Sequence, residues 1–193
     1  PVLQTPFDQK DSLDRESLRR LVHDAIESGA KGFLAPAVAS EVTYLSVQER
    51  EQVLAEILAG TANRVPLIVG ASSDNVAECR HFARWAMDHG AAAYLVAVPA
   101  AFYRQPEAII HFFREVGAGI ELPFIVQDFE INGPGLTISH IGQLRKAIPT
   151  LAGIKVETVP AGPKYTAARE EFGPEFFIAG GWAVQQFIEA LDR

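Results

Sequence analysis

Apolar positions along the chain gather into short, nearly continuous runs that alternate with segments of helical period. Seven runs of four to seven residues, at 2–5, 32–36, 66–71, 92–98, 123–128, 152–157 and 176–180, are mostly apolar. Strands of a parallel sheet covered on both faces read this way. The first helical pattern sets Leu18, Leu21, Val22 and Ala25 at i, i+3, i+4 and i+7, with Gly29 as its stop. Another opens on the capping cluster Ser73-Asp74-Asn75 and repeats through Cys79, Phe82, Ala83 and Ala86. Further helices are predicted over 46–58, 106–116, 137–148, 163–172 and 182–191.

Strand and helix thus alternate seven times at a spacing of roughly 24–34 residues, the rhythm of a parallel α/β fold. A dinucleotide-binding sheet should carry a glycine fingerprint after its first strand. Here Pro6-Phe7-Asp8-Gln9-Lys10 follows instead. Seven units without a change of rhythm favour the (β/α)8 TIM barrel. Such a barrel needs eight strands and about 250 residues, whereas this chain has 193. The expectation is therefore a single incomplete barrel domain over 1–193, with seven β–α units and with the last strand and C-terminal helices absent. Two strand edges would lie open. Pro1 is no natural initiator, which suggests that the chain also lacks its true start.

Composition narrows the partners. Seventeen Lys and Arg against 24 Asp and Glu give a net charge of −7, which argues against nucleic acid. A single cysteine, Cys79, excludes an internal disulfide and fits a reducing, cytoplasmic setting. No apolar run approaches the ~18–20 residues of a membrane span. The five histidines, His23, His81, His89, His111 and His140, fall in or beside predicted helices, so no metal site is expected.

Barrel chemistry sits at the C-terminal ends of the strands. Those ends carry Thr5, the segment Ala37-Val38-Ala39-Ser40-Glu41, Ser72-Ser73-Asp74, Tyr103-Arg104, Gln127-Asp128, Lys155 with Glu157, and Gly180-Gly181. Alternation places Ile154 and Val156 on one face of their strand and Lys155 and Glu157 on the other. If the apolar pair meets the helices, Lys155 points into the barrel. Desolvation there would favour the neutral amine that attacks a ketone to form a Schiff base. An ion pair of Lys155 with Glu157 or Asp128 is the structural alternative. Small residues at 37–40 would let backbone N–H groups approach a carboxylate, or simply make a tight turn. Gly180-Gly181 keeps a phosphate site, and hence a sugar-phosphate enzyme, open as a rival.

The same anchors resemble those of the dihydrodipicolinate synthase / N-acetylneuraminate lyase family of Schiff-base-forming aldolases. Thr5-Pro6-Phe7 is similar to the Thr-Pro-Phe after the family's first strand. Ala37 to Glu41, with Leu45-Ser46 and Glu49-Arg50, resembles its Gly-Thr-Thr-Gly-Glu…Leu…Glu-Arg motif. Val69-Gly70, Pro99 with Phe102-Tyr103 and Pro106, Gly153-Ile154-Lys155, and Gly180 follow in the family's order. The resemblance covers the whole chain. It implies a closed TIM barrel with C-terminal helices, a homo-oligomer (dimer or tetramer), and a keto-acid substrate held as an imine on Lys155 without any other cofactor. It also implies that the backbone at Val38, Ala39 and Ser40 binds the substrate carboxylate.

Departures from the family pattern bear on the reaction. Val38 and Ala39 replace the two threonines, and Gln127 stands where a catalytic tyrosine is usual. An amide orients but does not shuttle protons at neutral pH. Asn132 falls near the synthase's arginine for a second carboxylate. Gln127-Asp128 is similar to the pair in sugar-acid dehydratase members. The expected function is a lyase acting on pyruvate or a 2-keto-3-deoxy sugar acid. Lys155, Gln127 and Tyr103 are its expected catalytic residues, and Val38, Ala39, Ser40, Asp128, Glu157 and Gly180 line the substrate. Ser40, Tyr103, Asp128 and Glu157 are the acid/base candidates, with a bound water as a fifth. Dihydrodipicolinate synthase proper and a non-catalytic keto-acid-binding paralogue are the alternatives.

Overall fold

The computed structural model describes residues 1–130 and 132–191; at 183–185 it describes the backbone alone. Six strands, β1 (Phe33–Ala35), β2 (Leu67–Gly70), β3 (Ala93–Ala97), β4 (Phe124–Asp128), β5 (Leu151–Val156) and β6 (Phe177–Gly180), pair in parallel in sequence order. Helices α1 (Arg15–Glu27), α2 (Val47–Thr61), α3 (Val76–Asp88), α4 (Pro106–Gly117), α5 (Ile138–Ala147), α6 (Gly162–Phe172) and α7 (Ala183–Leu191) alternate with them. Sequential order without reversal is the topology of a barrel wall, and the wall here is open.

Helix boundaries follow local chemistry. Asp14 caps α1 by accepting from the Ser17 N–H at 2.9 Å. Ser46 and Glu49 form a reciprocal capping box on α2. Asn75 caps α3 and Thr137 caps α5. Gly29 ends the first helical unit at φ +90°, in the left-handed region that favours glycine.

One expected strand is not formed. The run at 2–5 contributes a single parallel bridge, Val2 to Leu34. Leu34 donates to Pro1 O at 3.0 Å and accepts from the Leu3 N–H at 3.3 Å, and then the segment departs. Pro36 carries no N–H, so it cannot make the next rung to Leu3 O, which accepts the Ser40 hydroxyl instead. Seven complete β–α units are therefore corrected to six strands and one bridge.

Two apolar layers result. A large one between sheet and helices includes Phe82, Tyr94, Phe113, Phe124, Ile154 and Val156. A small one on the concave face joins Leu34, Ala37, Ala93, Leu95 and Ile125. Ile154 and Val156 pack with the helices, so Lys155 between them points into the concave face. All five residues of β4 are buried, whereas the four of β6 are exposed or half-buried. With Phe177, Phe187, Ile188 and Leu191 exposed beside it, β6 is an open edge.

Candidate active site

Strand register builds one inward row across four strands. Ala97 pairs with Gln127, Gln127 with Lys155, and Lys155 with Ala179. The two polar side chains are thus neighbours, flanked by methyl groups that leave space above them. Glu157 follows one strand repeat beyond Lys155, its N–H held by Asp128 O at 2.8 Å. Its carboxylate accepts from Lys155 Nζ at 2.9 Å on one oxygen and from Gln127 Nε2 on the other. Lys155, Glu157 and Gln127 are 8%, 7% and 1% exposed, so this ion pair is largely removed from water. In the sequence Lys155 had two possible acidic partners; the structure selects Glu157.

The loop after β1 forms two short 3-10 turns, Val38–Ser40 and Val42–Tyr44. Ser40 is fully buried; its hydroxyl donates to Leu3 O at 2.5 Å and accepts from the Ala37 N–H at 3.0 Å. Thr5 Oγ1 donates to Ser40 O at 2.8 Å. These bonds fix the loop and commit Ser40 to holding it. The N–H groups of Val38 and Ala39 donate to nothing among the described residues. A turn with free N–H groups at a strand end is suited to an anion.

Asp128 does not join the lysine. Alternation turns it to the other side of β4 from Gln127. There it is fully buried, accepting from Lys164 Nζ at 2.6 Å and from the Leu136 N–H at 3.0 Å. Burial raises its carboxyl above the usual range, against the pull of Lys164 and of that N–H. Lys164 also donates to Pro134 O, so the pair ties α6 to the loop after β4. Glu130 Oε2 accepts from the Gly135 N–H at 2.8 Å within the same loop. Tyr103 lies beside Asp128; burial, reinforced by the Asp128 charge, pushes its phenol well above its ordinary value. Its hydroxyl makes no hydrogen bond of normal geometry. Tyr103 and Asp128 thus form a second cluster, apart from the Lys155–Glu157–Gln127 group.

Gly180 and Gly181 have packing reasons to be glycine. A Cβ at Gly180 would press on the Tyr165 hydroxyl at 2.6 Å, and one at Gly181 would overlap the Glu157 side chain. The Gly181 N–H donates to Val156 O at 3.1 Å, leaving it unavailable to a phosphate. Lys164 is the site-region residue that the sequence reading missed. It is a lone lysine in a helical pattern, and its partner lies 36 positions away.

Among the described residues no cluster of three His, Cys, Asp or Glu side chains could hold a metal ion. Nor is any described helix long and apolar enough to cross a membrane.

The sequence model of the dihydrodipicolinate synthetase family matches residues 1–190. The chain is 35% identical over 188 residues to the 4-hydroxy-tetrahydrodipicolinate synthase of Ruegeria pomeroyi, covering 94% of this chain and 62% of that one. It is 32% identical over 194 residues to the L-2-keto-3-deoxyarabonate dehydratase of Azospirillum brasilense, covering 99% and 62%. The crystal structure of dihydrodipicolinate synthase from Rhodopseudomonas palustris superposes with a TM-score of 0.87 at 26% identity, over 98% of this chain and 65% of that one. YagE, a prophage protein of the dihydrodipicolinic acid synthase family from E. coli K12 solved in complex with pyruvate, gives 0.89 at 22% identity, over 99% and 65%, a likeness of fold. The chain thus spans less than two thirds of the length of these relatives.

Proposed function

The chain belongs to the dihydrodipicolinate synthetase family, and from that premise we propose that the full-length protein is a Schiff-base lyase acting on a 2-keto-3-deoxy sugar acid. The observation that carries this reading is the Lys155–Glu157–Gln127 group, buried on the concave face beside two alanines.

Each step follows from the contacts. The Glu157 carboxylate, 2.9 Å from Nζ, accepts the ammonium proton and frees the amine. Nζ attacks the C2 ketone; one proton passes from the nitrogen to the carbinolamine oxygen and a second is returned by Glu157, so the oxygen leaves as water and the iminium forms. The substrate carboxylate sits on the Val38 and Ala39 N–H groups. In the iminium the C3 proton is acidic, and Glu157 takes it to give an enamine. The C4 hydroxyl then departs as water, carrying that proton, while the enamine electrons form the new C3–C4 double bond. Gln127 donates to the second carboxylate oxygen and holds Glu157 in the geometry that each transfer needs. One carboxylate thereby does the work of the family's usual phenol.

The identity to the synthase from Ruegeria pomeroyi favours a second reading, condensation of pyruvate with an amino-aldehyde acid. Gln127 in place of the phenol and Asn132 in place of the arginine weigh against it. The test is NMR of full-length protein with keto-deoxy sugar acids and, separately, with pyruvate and aspartate semialdehyde. Water loss from a keto-deoxy acid, absent in Lys155→Ala and slowed roughly 100- to 10,000-fold in Glu157→Gln, is expected; condensation alone would replace this reading with the second.

Two proposals go with it. The full-length protein closes the barrel against the open β6 edge, where Phe177, Phe187, Ile188 and Leu191 are exposed. It also assembles as a dimer or tetramer, which light scattering would measure.

A further inference from the structure

The charges at the strand ends bear on which keto acids the site accepts. Among the described residues, the buried Glu157 meets one cation, Lys155, and one neutral donor, Gln127. The iminium formed on Lys155 keeps one positive charge, which the C1 carboxylate of the substrate already balances, so the charge of Glu157 is left to repel any second anion. Lys164 is committed to Asp128 and Pro134 O on the other side of β4. Glu130 adds another negative charge in the loop after β4, and Arg104, in the loop after β3, is exposed to solvent. Gly181 offers no anion cradle, because its N–H is bonded to Val156 O and its open side is filled by Glu157.

We propose that Glu157 sets specificity by charge: it admits keto acids whose part beyond C3 is uncharged and rejects those bearing a second carboxylate or phosphate. This rests on the Schiff-base reading above and goes further, since it excludes phosphorylated sugar acids and dicarboxylates as substrates. A second anion about 6 Å from Glu157, at an effective dielectric constant near 20 or somewhat higher, is disfavoured by roughly 10- to 100-fold. Uncharged hydroxyls suffer no such penalty and can donate to the carboxylate.

Borohydride trapping on full-length protein tests this without requiring turnover. The probes are pyruvate, 2-oxoglutarate and the 5-methyl ester of 2-oxoglutarate, which differs from the acid by one methyl group and one charge. The wild type should trap the ester roughly 10–100-fold faster than the acid, and Glu157→Gln should narrow that ratio to within about threefold. Equal trapping of ester and acid by the wild type would overturn the proposal, and so would faster trapping of the acid. An unchanged ratio in Glu157→Gln would overturn the assignment to Glu157. If Glu157→Gln does not fold, the wild-type ratio alone decides. Failure to trap even pyruvate would instead sink the Schiff-base reading, so the two failures are separable.

Discussion

Replacing Gly181 with alanine puts a methyl group where the Glu157 side chain already lies. Ordinary carbon contacts begin near 3.4 Å, and the added Cβ falls well inside that distance. The carboxylate must therefore move by on the order of 1 Å or more, a displacement that can cost about 100-fold in rate even when the fold survives. The 2.9 Å bond to Lys155 and the bond from Gln127 are lost together. Because Glu157 has only 7% exposure, part of the strain stays in the packing, about 1–2 kcal/mol of stability. The expected result for Gly181→Ala is kcat/KM down about 100-fold with a folded protein of slightly lower Tm. Turnover by a keto-deoxy acid assay and thermal unfolding by circular dichroism read the two effects separately. Activity within threefold of wild type would refute the positioning of Glu157 against Gly181.

Other predictions concern stability. Arg50, 3% exposed, donates to Glu78 at 2.5 Å and to Gly70 O at 3.1 Å and lies 3.8 Å from the Phe82 ring centroid. Arg50→Ala should cost about 2–3 kcal/mol in urea unfolding, less than a fully buried pair because Glu78 is partly exposed; a loss under 1 kcal/mol would contradict this. Burial raises the Cys79 thiol from 9.0 to about 11. The unfolded chain therefore loses that proton first, and stability falls as pH rises from 9 to 11. The loss approaches about 2–3 kcal/mol. Cys79→Ala should flatten the stability profile over that window relative to wild type, and parallel profiles would contradict the assignment. Gly142 sits inside α5 with only Phe172 near, at 3.8 Å. Gly142→Ala should stabilise by about 0.5–1 kcal/mol; a lower unfolding midpoint would show that the helix lacks the room.

Most of the fold was legible because strands of a parallel sheet leave nearly continuous apolar runs; β1 to β4 and β6 each lie within one, and β5 overlaps one with an offset of one residue. The run at 2–5 looked the same, since hydrophobicity reports burial and not pairing; Pro36, which cannot donate to the next rung, was the cue against a full strand. Lys155 was legible through the period-two placement of Ile154 and Val156. The same alternation, applied to β4, separates Gln127 from Asp128, which the motif had joined. The partners of Asp128 were not legible, because Lys164 reaches it from a helix 36 residues away and the Leu136 N–H from a loop. Nor could the sequence show that the Ser40 hydroxyl is bonded to Leu3 and Ala37. Gly180-Gly181 suggested a phosphate cradle, but these glycines make room for Tyr165 and Glu157. Local pattern thus recovers which face a residue occupies, and long-range closure decides what it meets there.

The proposed chemistry stands or falls on a covalent intermediate at Lys155. Full-length protein should be incubated with pyruvate, reduced with borohydride and analysed by intact-mass and peptide mass spectrometry. One reduced adduct per chain is expected, on Lys155 and absent from Lys155→Ala. An unmodified Lys155 with pyruvate and with every keto-deoxy acid tried would contradict it and leave the Lys155–Glu157 pair a structural salt bridge.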